Sequence, residues 1–334
     1  MAMHLDAGRF NPDGLALSEN YQDTMDTAVF PAINARRTNL TVDGAGGRPL
    51  FVSRFDADAP RGTAVLVHGF TENAEKFAEL VHSLLSQDWS VVAYDQRGHG
   101  RSWRAEGLAE ISLTHVDHFG EYVEDLSRVV AEALSPMPRP WVLFAHSMGG
   151  AVSSLFLEEN HGVFDRAALC APMIAPNLGG IPAPLGKVIC GVPKLLGRGK
   201  KRMFVSKPYV YPEAFETSCA TGRERFDWYE NLRRDHPEFT NNGPSYGWTL
   251  EAIGVTKRIL APGAAEKIDI PVRLYTAEND GSVLPEPQRQ FIARLKDGRR
   301  TLVPGSKHEI YRSADGVLFP WWHEILAFFA EAAR

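Results

Sequence analysis

Residues 141–159 read WVLFAHSMGGAVSSLFLEE, and the fold turns on how this stretch is parsed. Trp141–Phe144 is a short apolar run with strand character, and Gly149–Glu159 reads as a helix. Ser147 stands at the junction, with the small residues Ala145 and Gly149 two positions to either side. A strand that turns sharply into a helix needs small flanks to avoid a steric clash. Such a turn holds the serine oxygen clear of the sheet and leaves the Met148 amide without a partner at the helix N-terminus. A serine hydroxyl is nevertheless a weak nucleophile unless a base takes its proton. The rest of the chain has to supply that base.

Working outward, the same rhythm recurs. Arg37–Ala57 reads as two extended runs around a Gly-rich turn, a hairpin. Thr63–Phe70 and Ser90–Gln96 are short apolar strands. Between them Phe77, Leu80, Val81, Leu84 and Leu85 fall at helical spacing. Tyr122–Leu134 has a helical period, and Arg166–Pro172 is a further strand. Near-continuous apolar strands alternating with helices indicate an α/β fold with a mostly parallel central sheet flanked by helices. From about Met173 to Leu260 the alternation stops, and the chain is rich in Gly and Pro and broken by charges. It resumes with a strand at Val272–Asp280, a helix near Pro285–Lys296, a strand at Arg300–Pro304 and a last helix from Trp321. The expected organisation is a core in two parts, residues 1–172 and 261–334, with residues 173–260 inserted between them. A chain of 334 residues is long for one core, and the insertion accounts for the surplus.

In parallel sheets, ligands bind at the carboxyl ends of the strands. Four segments end there with reactive or polar residues. One is the Ser147 turn. The second is VHGF, where His68-Gly69 lets the Phe70 amide face the same point as the Met148 amide, giving a two-donor oxyanion hole. The third is AENDGSV, which offers Asp280, with Glu278 as a rival acid two residues earlier. The fourth is GSKHEI, which offers His308. His115 and His118 with Asp117 have an H-x-x-H spacing but lack an evident third ligand, so no metal and no cofactor are expected. His146, next to the serine, is expected to be a packed, hydrogen-bonded core histidine. Asp95 and Arg97 are read as a structural turn and Cys170 as core filler.

The small-x-Ser-x-Gly turn and the chain order Ser147, Asp280, His308 resemble the α/β-hydrolase fold, with Ala145 standing where the family's G-x-S-x-G pattern has its first glycine. YDQRGHGRS (94–102), HFGEYVEDL (118–126) and AHSMGGAVSSLFL (145–157) look like the branch that contains bacterial lysophospholipases and monoacylglycerol lipases, akin to the S33 serine aminopeptidases. ENLRRDHPEFTNNGPSYGWTLEAI (230–253) resembles the cap, or lid, of the bacterial lysophospholipases. The resemblance implies a Ser147–His308–Asp280 triad, because Asp280 sits where the resembling enzymes place their acid. It implies a serine ester hydrolase acting on long acyl chains, a lysophospholipase or monoacylglycerol lipase. The alternatives are a proline-iminopeptidase-like peptidase, a general carboxylesterase, and a non-catalytic binding module on the same scaffold. For the peptidase, Glu213, Glu216 and Glu224 are the carboxylates able to hold a free amine, and Arg223 and Arg225 flank Glu224.

Composition narrows the partners. The net charge of −5 gives no pull towards nucleic acid. The N-terminus lacks an apolar signal core, no run approaches a membrane span, and three scattered cysteines fit a reducing cytoplasm. Ile181–Val210 reverses the sign locally, with Lys187, Lys194, Arg198, Lys200, Lys201, Arg202 and Lys207 and no acid. Interleaved with Val188, Ile189, Val192, Leu195, Leu196, Met203 and Phe204, it reads either as a solvated cap face or as a peripheral contact with the anionic inner face of the membrane, with a helix dimer contact as a third reading. The small-molecule partner is a lipid or other ester.

Overall fold

A computed structural model describes residues 5–334. Ten strands are present among these residues: β1 Arg37–Asp43, β2 Pro49–Phe55, β3 Gly62–Val67, β4 Trp89–Tyr94, β5 Leu113–Thr114, β6 Trp141–His146, β7 Arg166–Cys170, β8 Gly243–Pro244, β9 Val272–Asn279 and β10 Gly298–Lys307. Eight of them form one sheet in the order β1-β2-β4-β3-β6-β7-β9-β10. The β1–β2 hairpin joins β4 antiparallel, and every other pairing in this sheet is parallel.

The central strands are buried on both faces, which is why they read as unbroken apolar runs rather than alternating ones. Successive residues still point to opposite sides. Val65, Val67, Leu143 and Ala145 join the core on one face, and Ala64, Leu66, Val142 and Phe144 join the core on the other. The first face is covered by the helices Gly120–Val129 and Met148–Glu159, and the second by Ala78–Ser86 and Asp315–Ala330. The aromatic C-terminal helix therefore packs inward. Trp322 is fully buried, and its indole N–H donates to Ser83 Oγ at 2.7 Å. Truncating a side chain of that size in a core costs about 3–5 kcal/mol.

Between β7 and β9 the chain leaves the sheet. This segment carries the helices Ala183–Pro193, Arg223–Asp235 and Tyr246–Ile259. Pro182 is the N-cap residue of the first helix and Pro184 lies in its first turn, where proline is tolerated; Pro193 is its last residue, and the chain runs on from it into the helical turn Lys194–Arg198. The segment is tied to the core by the short parallel pair β5–β8 and by Arg202, which bonds Glu110 and Ser112. A second element outside the alternating rhythm lies near the N-terminus, where Tyr21–Asn34 is helical throughout and buries Tyr21, Met25, Val29 and Ile33 on one side. No helix among the described residues is long and apolar enough to cross a membrane.

Candidate active site

The register of the sheet brings the four strand ends together in two pairs. Val67 of β3 lies opposite Ala145 of β6, and Phe70 and Met148 each follow three residues later. Asn279 of β9 lies opposite Lys307 of β10, and Asp280 and His308 are the next residues. The second pairing depends on a bulge. Val303 pairs with Ala277 and Lys307 with Asn279, so β10 carries two extra residues around Gly305, which has φ 71°. That detour delivers His308 beside Asp280.

Ser147 occupies a strained conformation, φ 51° and ψ −116°. The neighbouring backbone over-determines it. Its N–H donates to the Cys170 carbonyl at 3.0 Å, and its own carbonyl accepts from Gly150 at 2.9 Å and Met173 at 2.8 Å. A Cβ on Gly149 would collide with the carbonyl oxygens of Val67 and His68, so glycine is required there. Ala145 is fully buried in β6, and its methyl group is accommodated.

Ser147 Oγ lies 2.8 Å from His308 Nε2, and His308 Nδ1 lies 2.8 Å from Asp280 Oδ2. The other Asp280 oxygen accepts the backbone N–H groups of Ser282 at 2.8 Å and Val283 at 3.0 Å. Burial pushes the Asp280 carboxyl upward, but the hydrogen bond and charge of His308 and the two amides outweigh it, and the carboxyl sits below its ordinary value. Glu278 is elsewhere. Its side chain is exposed, and Oε2 accepts from the Gly305 amide in the bulge at 2.8 Å.

The loop Gly69–Thr71 leaves one amide unbonded. Gly69 N–H donates to Glu72 Oε2 at 2.5 Å and Thr71 N–H to His99 Nε2 at 3.2 Å. The Phe70 N–H between them has no acceptor among the described residues, and neither does the Met148 N–H. Gly69 permits the close approach: a Cβ there would lie 2.9 Å from Ser147 Cβ. Phe70 is held from outside by Trp248, with ring centroids 3.9 Å apart.

Ser147 opens onto a cavity of about 540 Å³ lined mainly by apolar side chains, among them Met173, Leu178, Ile189, Met203, Trp248 and Ile253. A smaller, polar chamber of about 170 Å³ is bordered by Thr71, Lys76, Glu213, Tyr229, Arg233, Glu309 and Arg312. Its carboxylates are compensated. Glu213 and Glu230 both bond Arg233 at 2.7 Å, and Glu309 bonds Lys76 at 2.7 Å and Arg312 at 2.6 Å.

The remaining sequence candidates fall outside this geometry. His115 bonds Ser245 and Asp117, while His118 is exposed, and no group of His, Cys, Asp and Glu suited to a metal occurs among the described residues. Asp95 accepts the Ala74 and Arg101 amides, and Arg97 forms a buried bidentate pair with Asp125. Cys170 is buried in β7. Arg223 and Arg225, which flank Glu224 in sequence, are paired elsewhere: Arg223 bonds Asp227, and Arg225 is buried against Glu79 and Asp315. What sequence reasoning missed is Glu72, a carboxylate with 2% exposure that holds both Gly69 and His146.

Comparison with known proteins agrees with this architecture. The family model described as serine aminopeptidase S33 matches residues 58–315. Lysophospholipase L2 of Escherichia coli K12 is 30% identical over 303 residues, 88% of each chain. A monoacylglycerol lipase of Mycolicibacterium smegmatis is 28% identical over 169 residues, 48% of this chain and 58% of that one. Among solved structures, a soluble variant of the Saccharomyces cerevisiae monoglyceride lipase superposes with a TM-score of 0.68 at 16% identity, over 88% of this chain and 97% of that one. That likeness speaks to the fold alone. The chain belongs to the serine aminopeptidase S33 family and carries the α/β-hydrolase fold.

Proposed function

We propose that this chain is a lipid ester hydrolase that cleaves carboxylic esters of long acyl chains through an acyl-enzyme. The observation that carries the reading is the hydrogen-bonded series Ser147–His308–Asp280 at the floor of an apolar cavity. In the first step His308 Nε2 takes the Ser147 proton as Oγ attacks the ester carbonyl. Asp280 holds Nδ1 protonated and stabilises the imidazolium. The Phe70 and Met148 amides receive the negative oxygen of the tetrahedral intermediate, each contributing about 2.7–4 kcal/mol by comparison with other oxyanion donors. His308 then gives its proton to the leaving alcohol and activates water for deacylation.

The acyl chain fits the 540 Å³ cavity, a size and lining typical of sites for apolar ligands. Residues 173–260 act as the cap, supplying Leu178, Ile189, Met203, Trp248 and Ile253 to that lining. Lysophospholipids and monoacylglycerols are the favoured substrates, in keeping with the names of the relatives. The aminopeptidase reading is disfavoured by the polar chamber. A free amine needs an uncompensated carboxylate, and Glu213, Glu230 and Glu309 there are each already bonded to Arg or Lys. Glu216 and Glu224 have no ion-pair partner among the described residues, but they are exposed and border neither the cavity nor the chamber. Hydrolysis of a long-chain monoacylglycerol, a lysophospholipid and an aminoacyl arylamide, measured side by side, tests this. Activity on the arylamide with none on the two lipids would overturn it.

The same segment forms the membrane contact. Of thirteen exposed large apolar side chains among the described residues, ten lie between Ile181 and Tyr211. Ile181, Leu185, Val188, Val192, Leu195 and Leu196 follow helical spacing, yet this stripe faces solvent. Lys187, Arg198, Lys201 and Lys207 have no ion-pair partner among the described residues. Ile181, Phe204 and Val205 belong both to the exposed set and to the cavity lining, so a docked bilayer would meet the cavity. The protein then works from the cytoplasm at the inner membrane face. Co-sedimentation with anionic vesicles is expected, and Leu195→Glu with Leu196→Glu is expected to abolish it while leaving hydrolysis of a short soluble ester intact. Equal sedimentation of the double variant would refute the contact.

A further inference from the structure

Three histidines are buried around the Gly69–Thr71 loop: His68, His99 and His146, none more than 1% exposed. Two are satisfied as neutral rings. His68 Nδ1 donates to the Gly69 carbonyl at 2.8 Å, and its Nε2 accepts from the Gln96 N–H at 2.9 Å. His99 Nδ1 donates to the Arg97 carbonyl at 3.0 Å, and its Nε2 accepts from the Thr71 N–H at 3.2 Å. One donor and one acceptor is what a neutral imidazole offers. Burial pushes His68 down to about 4 and His99 well below the ordinary value, in agreement.

His146 faces a different pair of partners. Its Nδ1 lies 2.9 Å from Glu72 Oε2, and its Nε2 lies 3.2 Å from the carbonyl oxygen of His308. Both are acceptors, so a ring with a single proton would set a lone pair against an oxygen on one side. Only the doubly protonated ring satisfies both. Glu72 is equally committed as an anion. Besides His146 it accepts from Gly69 N–H at 2.5 Å, Lys76 Nζ at 3.2 Å and Tyr311 Oη at 2.6 Å.

We propose that Glu72 and His146 form a buried carboxylate–imidazolium pair that positions the two halves of the active site. Through the Gly69 amide the pair fixes the loop that bears the free Phe70 N–H. Through the His308 carbonyl it fixes the backbone of the base. Neither residue touches substrate, so both are positioning residues, and the inference rests on the roles given above to Ser147, His308 and Phe70.

The surroundings sustain the charge. Burial works against the imidazolium, but the Glu72 carboxylate outweighs it and lifts His146 above its ordinary value. Burial likewise works against the Glu72 anion, and His146 and Lys76 hold it well below the usual carboxylate range. The other titratable groups around the ring are Glu309, Lys76, Tyr311, Cys170, His68 and the ring of His308, whose centroid is 4.8 Å away. The order of effects follows from these signs. The pair is lost as the pH rises through the raised value of His146.

Nitrogen NMR of histidine-labelled protein, assigned with single His→Gln variants, reads the charge state directly. At pH 7 His146 is expected to carry both ring protons, and His68 and His99 one each. Glu72→Gln keeps the shape and removes the charge. It is expected to leave His146 with one proton and to lower kcat on a long-chain ester about a hundredfold with KM little changed, the scale of an ångström-sized misplacement. A singly protonated His146 in the unsubstituted protein at pH 7 overturns the proposal. So does a folded Glu72→Gln protein with undiminished kcat. Should Glu72→Gln not fold, the unsubstituted protein decides. A kcat that falls as His146 loses its second proton supports the pair, and an unchanged kcat after that loss refutes it. Because NMR reads the ring whether or not ester is hydrolysed, failure of the pair and failure of the Ser147 assignment are told apart by labelling Ser147.

Discussion

Asp280→Asn should disable the enzyme without disturbing its fold, and the structure says why. Asp280 Oδ1 accepts two backbone N–H groups, from Ser282 and Val283, and Oδ2 faces His308 Nδ1 at 2.8 Å. In asparagine the amide oxygen has to take the first place, because an NH2 group there would confront two donors. The amide NH2 is then turned towards His308 Nδ1, which must become an acceptor. The remaining ring proton moves to Nε2, 2.8 Å from Ser147 Oγ, where a proton acceptor is needed. The base is locked in the wrong tautomer. The corresponding exchange in a serine protease lowers kcat about ten-thousandfold with geometry intact, which is about 5.4 kcal/mol of barrier. Steady-state hydrolysis of a chromogenic long-chain ester, with a thermal melt as the folding control, measures it. Glu278→Gln is the companion: an exposed side chain bonded to the Gly305 amide, it should change kcat less than about twofold. A loss below tenfold for Asp280→Asn, with a larger loss for Glu278→Gln, would refute the tautomer argument and move the acid to Glu278.

Other consequences test the scaffold. Gly149→Ala should lower both stability and kcat, because its methyl group would run into the Val67 and His68 carbonyls; overpacking of this kind costs about 1–3 kcal/mol, read by urea denaturation. Ala145→Gly should keep activity and lose about 0.5–1 kcal/mol, the penalty of glycine within a strand, by the same measurement. Glu158 is buried, with one carboxyl oxygen lacking a hydrogen-bond partner, and burial, helped by Glu159, pushes its carboxyl up to about 8 against Arg258 and Lys267. The folded state therefore binds the extra proton between about 4.5 and about 8, and stability from this group falls as the pH rises through that window. Glu158→Gln should raise the melting temperature by a few degrees at pH 9, for about 1–3 kcal/mol, and have little effect at pH 4.5.

Strands that are buried on both faces announce themselves as apolar runs, so β3, β4, β6, β7 and β9 were legible from residue order alone. The Ser147 turn was legible because its small flanks have a steric cause. The helical stretch Tyr21–Asn34 was overlooked although Tyr21, Met25, Val29 and Ile33 recur every fourth position; Pro31 and the surrounding polar residues masked the period. Residues 173–260 are rich in Gly and Pro, which hides the helices they carry; Pro182 and Pro184 start the first of them, and Pro193 lies where it passes into the turn Lys194–Arg198. Glu72 was illegible for a deeper reason. A buried charge is stabilised by partners distant in sequence, here His146 and Tyr311, and no local pattern records them. The partners of Arg225 are hidden in the same way: adjacent residues on a helix point in different directions, and it pairs with Glu79 and Asp315 rather than with its neighbour Glu224.

Intact-mass analysis after exposure to a long-chain fluorophosphonate tests the central claim most directly, since the claim is that one hydroxyl is made nucleophilic by its neighbours. A single covalent adduct on Ser147, formed in step with the loss of ester hydrolysis and absent from Ser147→Ala, is the expected result. An adduct on another residue, or ester hydrolysis that persists at an unchanged rate in Ser147→Ala, would contradict it.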